Sequence, residues 1–305
     1  MARAHDPDPA ARASTLLGDF DSLVPGHGLS RRAFVRGSVG SGFAAAVLPV
    51  VGQTQVRTPA TGLLAGEVTI PAGDVGLPAY RAAPADRPGA PVLLLVSEIF
   101  GVHEYIADVA RRFALQGWCV VAPELFVRQG DPGSYGEVAR LMAEVVSKVP
   151  DAQVMSDLDA CVAWARSQGA DTSRLGITGF CWGGRITWLY AAHNPGLKAA
   201  VAWYGRLAGA TGALTPRQPL DLAGALQAPV LGLYGGQDEG IPLDTVDKMK
   251  SALASGSAAA RRSAVVVYPE APHAFHADYR PSYRAAAAED GWRRCLDWLR
   301  AHGAG

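Results

Sequence analysis

The stretch Gly179-Phe180-Cys181-Trp182-Gly183-Gly184 constrains the fold more than any other part of the chain. Upstream, Arg174-Leu175-Gly176-Ile177-Thr178 reads as a short buried strand. Downstream, Arg185 to Ala192 places apolar residues at helical spacing. A glycine two residues before the cysteine and another two after it let a strand turn directly into a helix, because a side chain at either position would collide with neighbouring backbone. The central side chain is then held exposed in a strained conformation. This is the geometry of a nucleophile elbow, with a thiol in place of the usual serine hydroxyl. The competing reading of Cys181 is a small buried core residue.

The runs on either side extend this pattern. Pro91 to Ser97 is continuously apolar, as in a strand buried on both faces, and similar runs recur at Trp118 to Ala122, Ala199 to Trp203, Val230 to Tyr234 and Ala264 to Tyr268. Helical patterns lie between them at Tyr105 to Gln116, Tyr135 to Lys148, Ala152 to Ser167 and Leu243 to Ala254. A last helix is expected over Pro281 to Ala301, where Trp292, Cys295, Leu296 and Leu299 share a face. Glu67 to Ile70 and Leu77 to Arg81 read as a leading antiparallel pair, and Ala82 to Gly89 as a loop. Strands alternating with helices predict an α/β domain over 60–303, a mainly parallel sheet with helices on both faces. Its strand carboxyl ends, and the loops that follow them, gather at one edge.

Residues 1–55 read differently. Met1 to Gly28 is rich in Ala, Asp, Pro and Gly and is expected to be disordered. Ser30-Arg31-Arg32-Ala33-Phe34-Val35-Arg36, followed by a moderately apolar stretch to Val51, resembles a twin-arginine signal. It implies the twin-arginine export machinery as a partner and a periplasmic location. The alternative is a basic helix start in the tail of a cytoplasmic protein, and no clean small-x-small cleavage site follows Val51. Nothing approaches the ~20 continuous apolar residues of a membrane span. A formal net charge of zero, with no long basic run after position 40, argues against a nucleic-acid partner. Cys119, Cys161 and Cys295 are read as core. The four cysteines fit no zinc spacing and are too scattered for a disulfide scaffold, although bridges are the rival reading in an exported chain. No metal or organic cofactor is implied.

A cysteine nucleophile needs a base and a group that orients the base. Asp238 follows one strand in Gly235-Gly236-Gln237-Asp238, and His273 follows the next in Pro269-Glu270-Ala271-Pro272-His273. The order nucleophile, acid, histidine matches a known hydrolase arrangement. Glu239 and Asp244 are the local alternatives to Asp238. His276 is read as lying behind the site or on the surface, and His103 comes too early in the chain to be the base. The backbone amides of Trp182 and Ile99 are the candidate oxyanion donors. Glu98, beside Ile99, is either a carboxylate that holds the thiol protonated or an exposed loop acid.

Together, Glu98-Ile99-Phe100-Gly101, the cysteine elbow, Gly235-Gly236-Gln237-Asp238 and His273-Ala274-Phe275 resemble the dienelactone hydrolase (carboxymethylenebutenolidase) family over residues 65 to 301. The resemblance implies an α/β-hydrolase fold and hydrolysis of a small-molecule ester or lactone through a cysteine acyl-enzyme. It places the triad on Cys181, His273 and Asp238, the thiol-contacting glutamate on Glu98, and the oxyanion amides on Ile99 and Trp182. One departure stands out. Where the family's dienelactone-cleaving members carry a substrate-binding arginine four residues after the histidine, this chain has Ala277, with Arg280 the next arginine. Arg140 lies near the place expected of a second arginine. The alternatives are a carboxylesterase or thioesterase acting on neutral esters, a catalytically silent binding module on the same fold, and a redox role for Cys181.

Overall fold

The computed structural model describes residues 56–305. The paired arginines at positions 31 and 32, and the disorder and export expected of the segment around them, lie outside the described residues. Eight strands form one sheet: β1 (Leu63–Ala72), β2 (Val75–Pro84), β3 (Pro91–Val96), β4 (Cys119–Pro123), β5 (Asp171–Phe180), β6 (Leu197–Trp203), β7 (Val230–Gly235) and β8 (Ala264–Tyr268). Their order across the sheet is β1-β2-β4-β3-β5-β6-β7-β8. β2 pairs antiparallel with β1 and β4, and every other pairing is parallel. Every residue of β3, β4 and β7 is buried, which requires cover on both faces and explains why these runs are apolar without alternation.

The helices are α1 (Glu104–Leu115), α2 (Val138–Glu144), α3 (Asp151–Ser167), α4 (Trp182–His193), α5 (Pro219–Leu222), α6 (Leu243–Ala254), α7 (Ala258–Arg261) and α8 (Ala285–Ala301). None among the described residues is long and apolar enough to cross a membrane. Cys119, Cys161 and Cys295 are buried with free thiols, and burial pushes the pKa of all three up.

The architecture matches the α/β expectation, and several boundaries correct it. β1 and β2 run in register from Leu63↔Pro84 to Ala72↔Val75, so residues 82–84 belong to a strand and not to the loop the prolines suggested. Pro84 sits at the strand's end, where a missing N–H is tolerated. The helix expected over 135–148 divides into α2 and a 3₁₀ turn at Val146–Lys148. α8 begins four residues later than expected, because the amide of Arg284 donates to the carbonyl of Phe275 at 3.0 Å and residues 281–284 stay in the loop. α5 and α7, of four residues each, lie in stretches with no strong period.

Candidate active site

The carboxyl ends of β3, β5, β7 and β8 carry the residues singled out above. β5 ends at Phe180 and α4 starts at Trp182, leaving Cys181 as the whole connection, with φ 56° and ψ −113°. The glycines make this possible. A Cβ on Gly179 would stand 2.4 Å from the carbonyl oxygen of Gly183, and one on Gly183 would stand 2.3 Å from that of Val96. The start of α4 therefore rests directly on the end of β3. The amide of Trp182 and the turn holding Ile99 consequently belong to backbones in contact. Cys181 is partly exposed, and its own amide donates to the carbonyl of Trp203 at 3.0 Å.

Asp238 and His273 come together on the neighbouring loops. His273 Nδ1 lies 2.6 Å from Asp238 Oδ2, with the aspartate side chain 1% exposed. Two glycines set this approach: a Cβ on Gly235 would meet the carbonyl oxygen of Ala271 at 2.3 Å, and one on Gly236 that of Pro269 at 2.6 Å. Burial pushes the imidazole pKa down, but Asp238 and then Cys181 outweigh it, and the net shift is well upward. Glu239 and Asp244, the alternatives to Asp238, are exposed, and Asp244 pairs with Lys248 at 2.9 Å.

Glu98 is not an exposed loop acid. Its side chain is 1% exposed and accepts from Arg280 Nη2 at 2.8 Å and Tyr279 Oη at 3.3 Å, with His103 Nε2 at 3.8 Å. Burial favours the protonated acid, but Arg280, followed by His103, outweighs it and holds the carboxyl at about 2. This buried ion pair engages one oxygen of the carboxylate, Oε2. Arg280 is itself buried, and Ala277 is a buried methyl. Arg140 is exposed and paired with Glu144 at 2.7 Å. His103 is the N-cap residue of α1 and lies beside Glu98. His276 is buried, which removes the surface reading. Its Nδ1 bonds the hydroxyl of Tyr105, and burial, reinforced by Arg112, holds its pKa at about 3.

Sequence reasoning missed Tyr279, which joins the Glu98 pair, and Tyr204, whose ring meets that of His273 edge-on at 5.0 Å between centroids. The available signal for Tyr204 was its place directly after β6, at the same sheet edge as the other loops. Three non-glycine residues among the described residues have positive φ: Cys181, Tyr204 (37°) and Ala274 (57°). All three lie at this one site, where such conformations store roughly 1–3 kcal/mol each. Among the described residues no cluster of three or more His, Cys, Asp or Glu side chains is arranged to hold a metal.

Known proteins are similar to this chain in sequence and fold. A relative from Methylorubrum extorquens, named "Putative carboxymethylenebutenolidase", is 60% identical over 286 residues, 93% of this chain and 97% of that protein. One of the same name from Escherichia coli K12 is 53% identical over 86% of this chain and 96% of its own length. A crystal structure titled as a "Putative Dienelactone Hydrolase" from Klebsiella pneumoniae superposes with a TM-score of 0.76 at 55% identity, covering 78% of this chain and 98% of that one. Residues 77–303 match the model of the dienelactone hydrolase family, and the chain belongs to that family.

Proposed function

We propose that this protein hydrolyses a carboxylic ester or lactone through an acyl-enzyme on Cys181. The observation that carries the reading is the His273–Asp238 pair at 2.6 Å, beside a cysteine on a strained strand-to-helix turn. Asp238 accepts from Nδ1–H and fixes the imidazole so that Nε2 faces the thiol. Nε2 takes the thiol proton, the thiolate attacks the carbonyl carbon, and the amides of Trp182 and Ile99 receive the developing oxyanion. The imidazolium returns its proton to the leaving oxygen as the C–O bond breaks. Water, deprotonated by the same Nε2, then cleaves the thioester. Glu98, held ionised by Arg280, fixes the local charge beside the thiol.

The relatives' names supply the lactone. A second reading, neutral esters, is favoured by the buried methyl of Ala277 at the family's arginine position and by the engagement of Arg280 with Glu98. Hydrolysis of an ester and lactone panel, half of it carrying a carboxylate beside the scissile bond, tests both. Wild type should act on the panel, and Cys181→Ala should lose at least ~10³-fold in kcat/KM. Confinement of activity to carboxylated lactones selects the first reading, whereas activity spread over neutral esters selects the second. Undiminished hydrolysis by Cys181→Ala removes the acyl-enzyme. We also propose export, on the Ser30 to Arg36 motif alone. Cell fractionation of wild type against an Arg31→Lys, Arg32→Lys double variant tests it, and equal periplasmic amounts overturn it.

A further inference from the structure

We infer that Tyr204 is a further catalytic residue, whose phenol donates a hydrogen bond to the leaving oxygen of the ester or lactone seated at Cys181. This rests on the hydrolytic reading above and assigns a group that reading does not use.

Two observations independent of each other point to Tyr204. First, its side chain is fully buried, yet its hydroxyl has no hydrogen-bond partner among the described residues. A buried, unsatisfied hydroxyl costs roughly 1–3 kcal/mol, and phenylalanine would fill the same space without that cost. Second, its backbone φ is 37°, a conformation that a bulky side chain rarely adopts. The other two non-glycine residues with positive φ are the cysteine at the elbow and the residue after His273. Strain and an idle polar group at one residue beside the reacting side chains mark a position kept for chemistry and not for stability.

The sheet brings Tyr204 to the same edge as Cys181. β5, which carries Cys181, has β3 on one side and β6 on the other. Ile99 follows β3, so its amide approaches the substrate carbonyl from that side. Tyr204 follows β6, on the side of β7 and β8, with Asp238 and His273. Its amide donates to the carbonyl of Leu233 at 2.8 Å, and its ring is wedged between His273 at 5.0 Å, Phe275 at 5.3 Å and Phe180 at 6.1 Å, centroid to centroid. The neighbouring Gly205 fixes the backbone, since a Cβ there would stand 2.3 Å from the carbonyl carbon of Gly184 in α4. The phenol interacts electrostatically with Cys181 and packs edge-on against His273. With the amides of Trp182 and Ile99 assigned to the carbonyl, the substrate atom left in need of a donor is the leaving oxygen, to which His273 must deliver its proton. Burial keeps the phenol pKa well above its usual value, with Tyr105 and Glu98 adding to it, so the hydroxyl remains a donor across the neutral range. No proton leaves the tyrosine. It shares the negative charge on oxygen while the C–O bond lengthens, and the imidazolium completes the transfer.

The test is Tyr204→Phe on esters of one acid with leaving groups from 4-nitrophenol to a simple alkyl alcohol. kcat/KM reports acylation, the step that breaks the C–O bond. The variant should lose about 10- to 100-fold on the alkyl ester and less than about threefold on the nitrophenyl ester, whose leaving oxygen needs no donor. Its thermal midpoint should equal or exceed that of wild type, since only an unpartnered hydroxyl is removed. Unchanged kcat/KM on the alkyl ester overturns the inference. So does an equal loss across all leaving groups, or a loss that follows a lowered midpoint. A dead Cys181→Ala beside a Tyr204→Phe without leaving-group dependence discards this inference alone, whereas an active Cys181→Ala discards the hydrolytic reading beneath it.

Discussion

His273 and His276 stand three residues apart on one loop, and the fold moves their proton affinities in opposite directions. His273 faces a buried carboxylate at 2.6 Å, and its pKa rises in spite of burial. His276 meets the hydroxyl of Tyr105, packs against Trp203 with ring centroids 4.6 Å apart, and feels the positive Arg112, so it is held neutral at about 3. Burial acts on both in the same sense. The partner on the next loop decides, because a carboxylate compensates the buried cation and a phenol does not. One histidine is thereby equipped to take and give a proton, and the other to hold two aromatic layers together.

The strongest way to break this comparison is to exchange the losses. His273→Gln should lower kcat/KM by at least ~10³-fold. His276→Leu should keep kcat/KM within about tenfold while the unpaired Tyr105 hydroxyl lowers stability by roughly 1–3 kcal/mol. Steady-state kinetics and thermal unfolding on both variants would refute the division of roles if His276→Leu proved the inactive one. Asp238→Asn sharpens the point, because it should bring the His273 pKa down toward that of an ordinary buried histidine, read by NMR titration of the ring.

The next effect in size concerns the far end of the same loop. Glu98 and Arg280 are each 1% exposed, so removing one partner strands a buried charge. Arg280→Met should cost about 3–5 kcal/mol in chemical denaturation. The double variant Glu98→Gln with Arg280→Met should recover part of that loss. If the single and double variants unfold together, the pair does not carry the energy assigned to it here.

Acid sensitivity follows from His276. Its pKa is about 3 in the folded protein and near the ordinary ~6.5 when unfolded, so between these values the unfolded chain binds the extra proton. Stability should therefore fall as pH drops from about 6.5 toward 3, by up to ~1.4 kcal/mol per pH unit. His273 has the opposite sign. Its raised folded pKa contributes stability that is complete below ~6.5 and is lost as pH rises through the folded value. Urea midpoints measured between about pH 4 and 7 should show a flatter acid limb for His276→Leu than for wild type. Parallel curves would mean that His276 is not the group that titrates.

The sequence was informative where close backbone approach demands glycine. Gly179 and Gly183 announced the elbow, and the Gly235-Gly236 pair marked the loop that carries Asp238, although the reason for that pair appears only when Ala271 and Pro269 are seen against it. Strands buried on both faces were legible as unbroken apolar runs. What stayed hidden depends on pairing across long separations. Glu98 meets Arg280 across 182 positions and Tyr105 meets His276 across 171, and no local period encodes either partner. Arg280 was visible only as the next arginine after Ala277, whereas its burial against Glu98 was not.

The smallest effect lies behind His276, where the first described residues are tied to the body. The amide of Thr58 donates to Asp108 Oδ1 at 2.5 Å, its hydroxyl donates to Oδ2 at 3.3 Å, and Arg111 Nε donates to the carbonyl of Thr58 at 2.8 Å. Arg112 then joins Asp108 to Asp278, both at 2.6 Å, and Asp278 sits two residues from His276 on the loop. The tie is mostly backbone to charged side chain, so Thr58→Ala removes only its longest bond. It should cost no more than ~1 kcal/mol and leave kcat/KM unchanged. Asp108→Asn touches the shared carboxylate and should cost more, because Arg112 and Arg111 both lean on it. Its effect should again appear in the unfolding midpoint rather than in turnover, because the strap bears on the structural histidine and not on the one beside Cys181. A loss of turnover in Asp108→Asn at an unchanged midpoint would show that the two ends of the loop are coupled, and the separation between the two histidines would fail there.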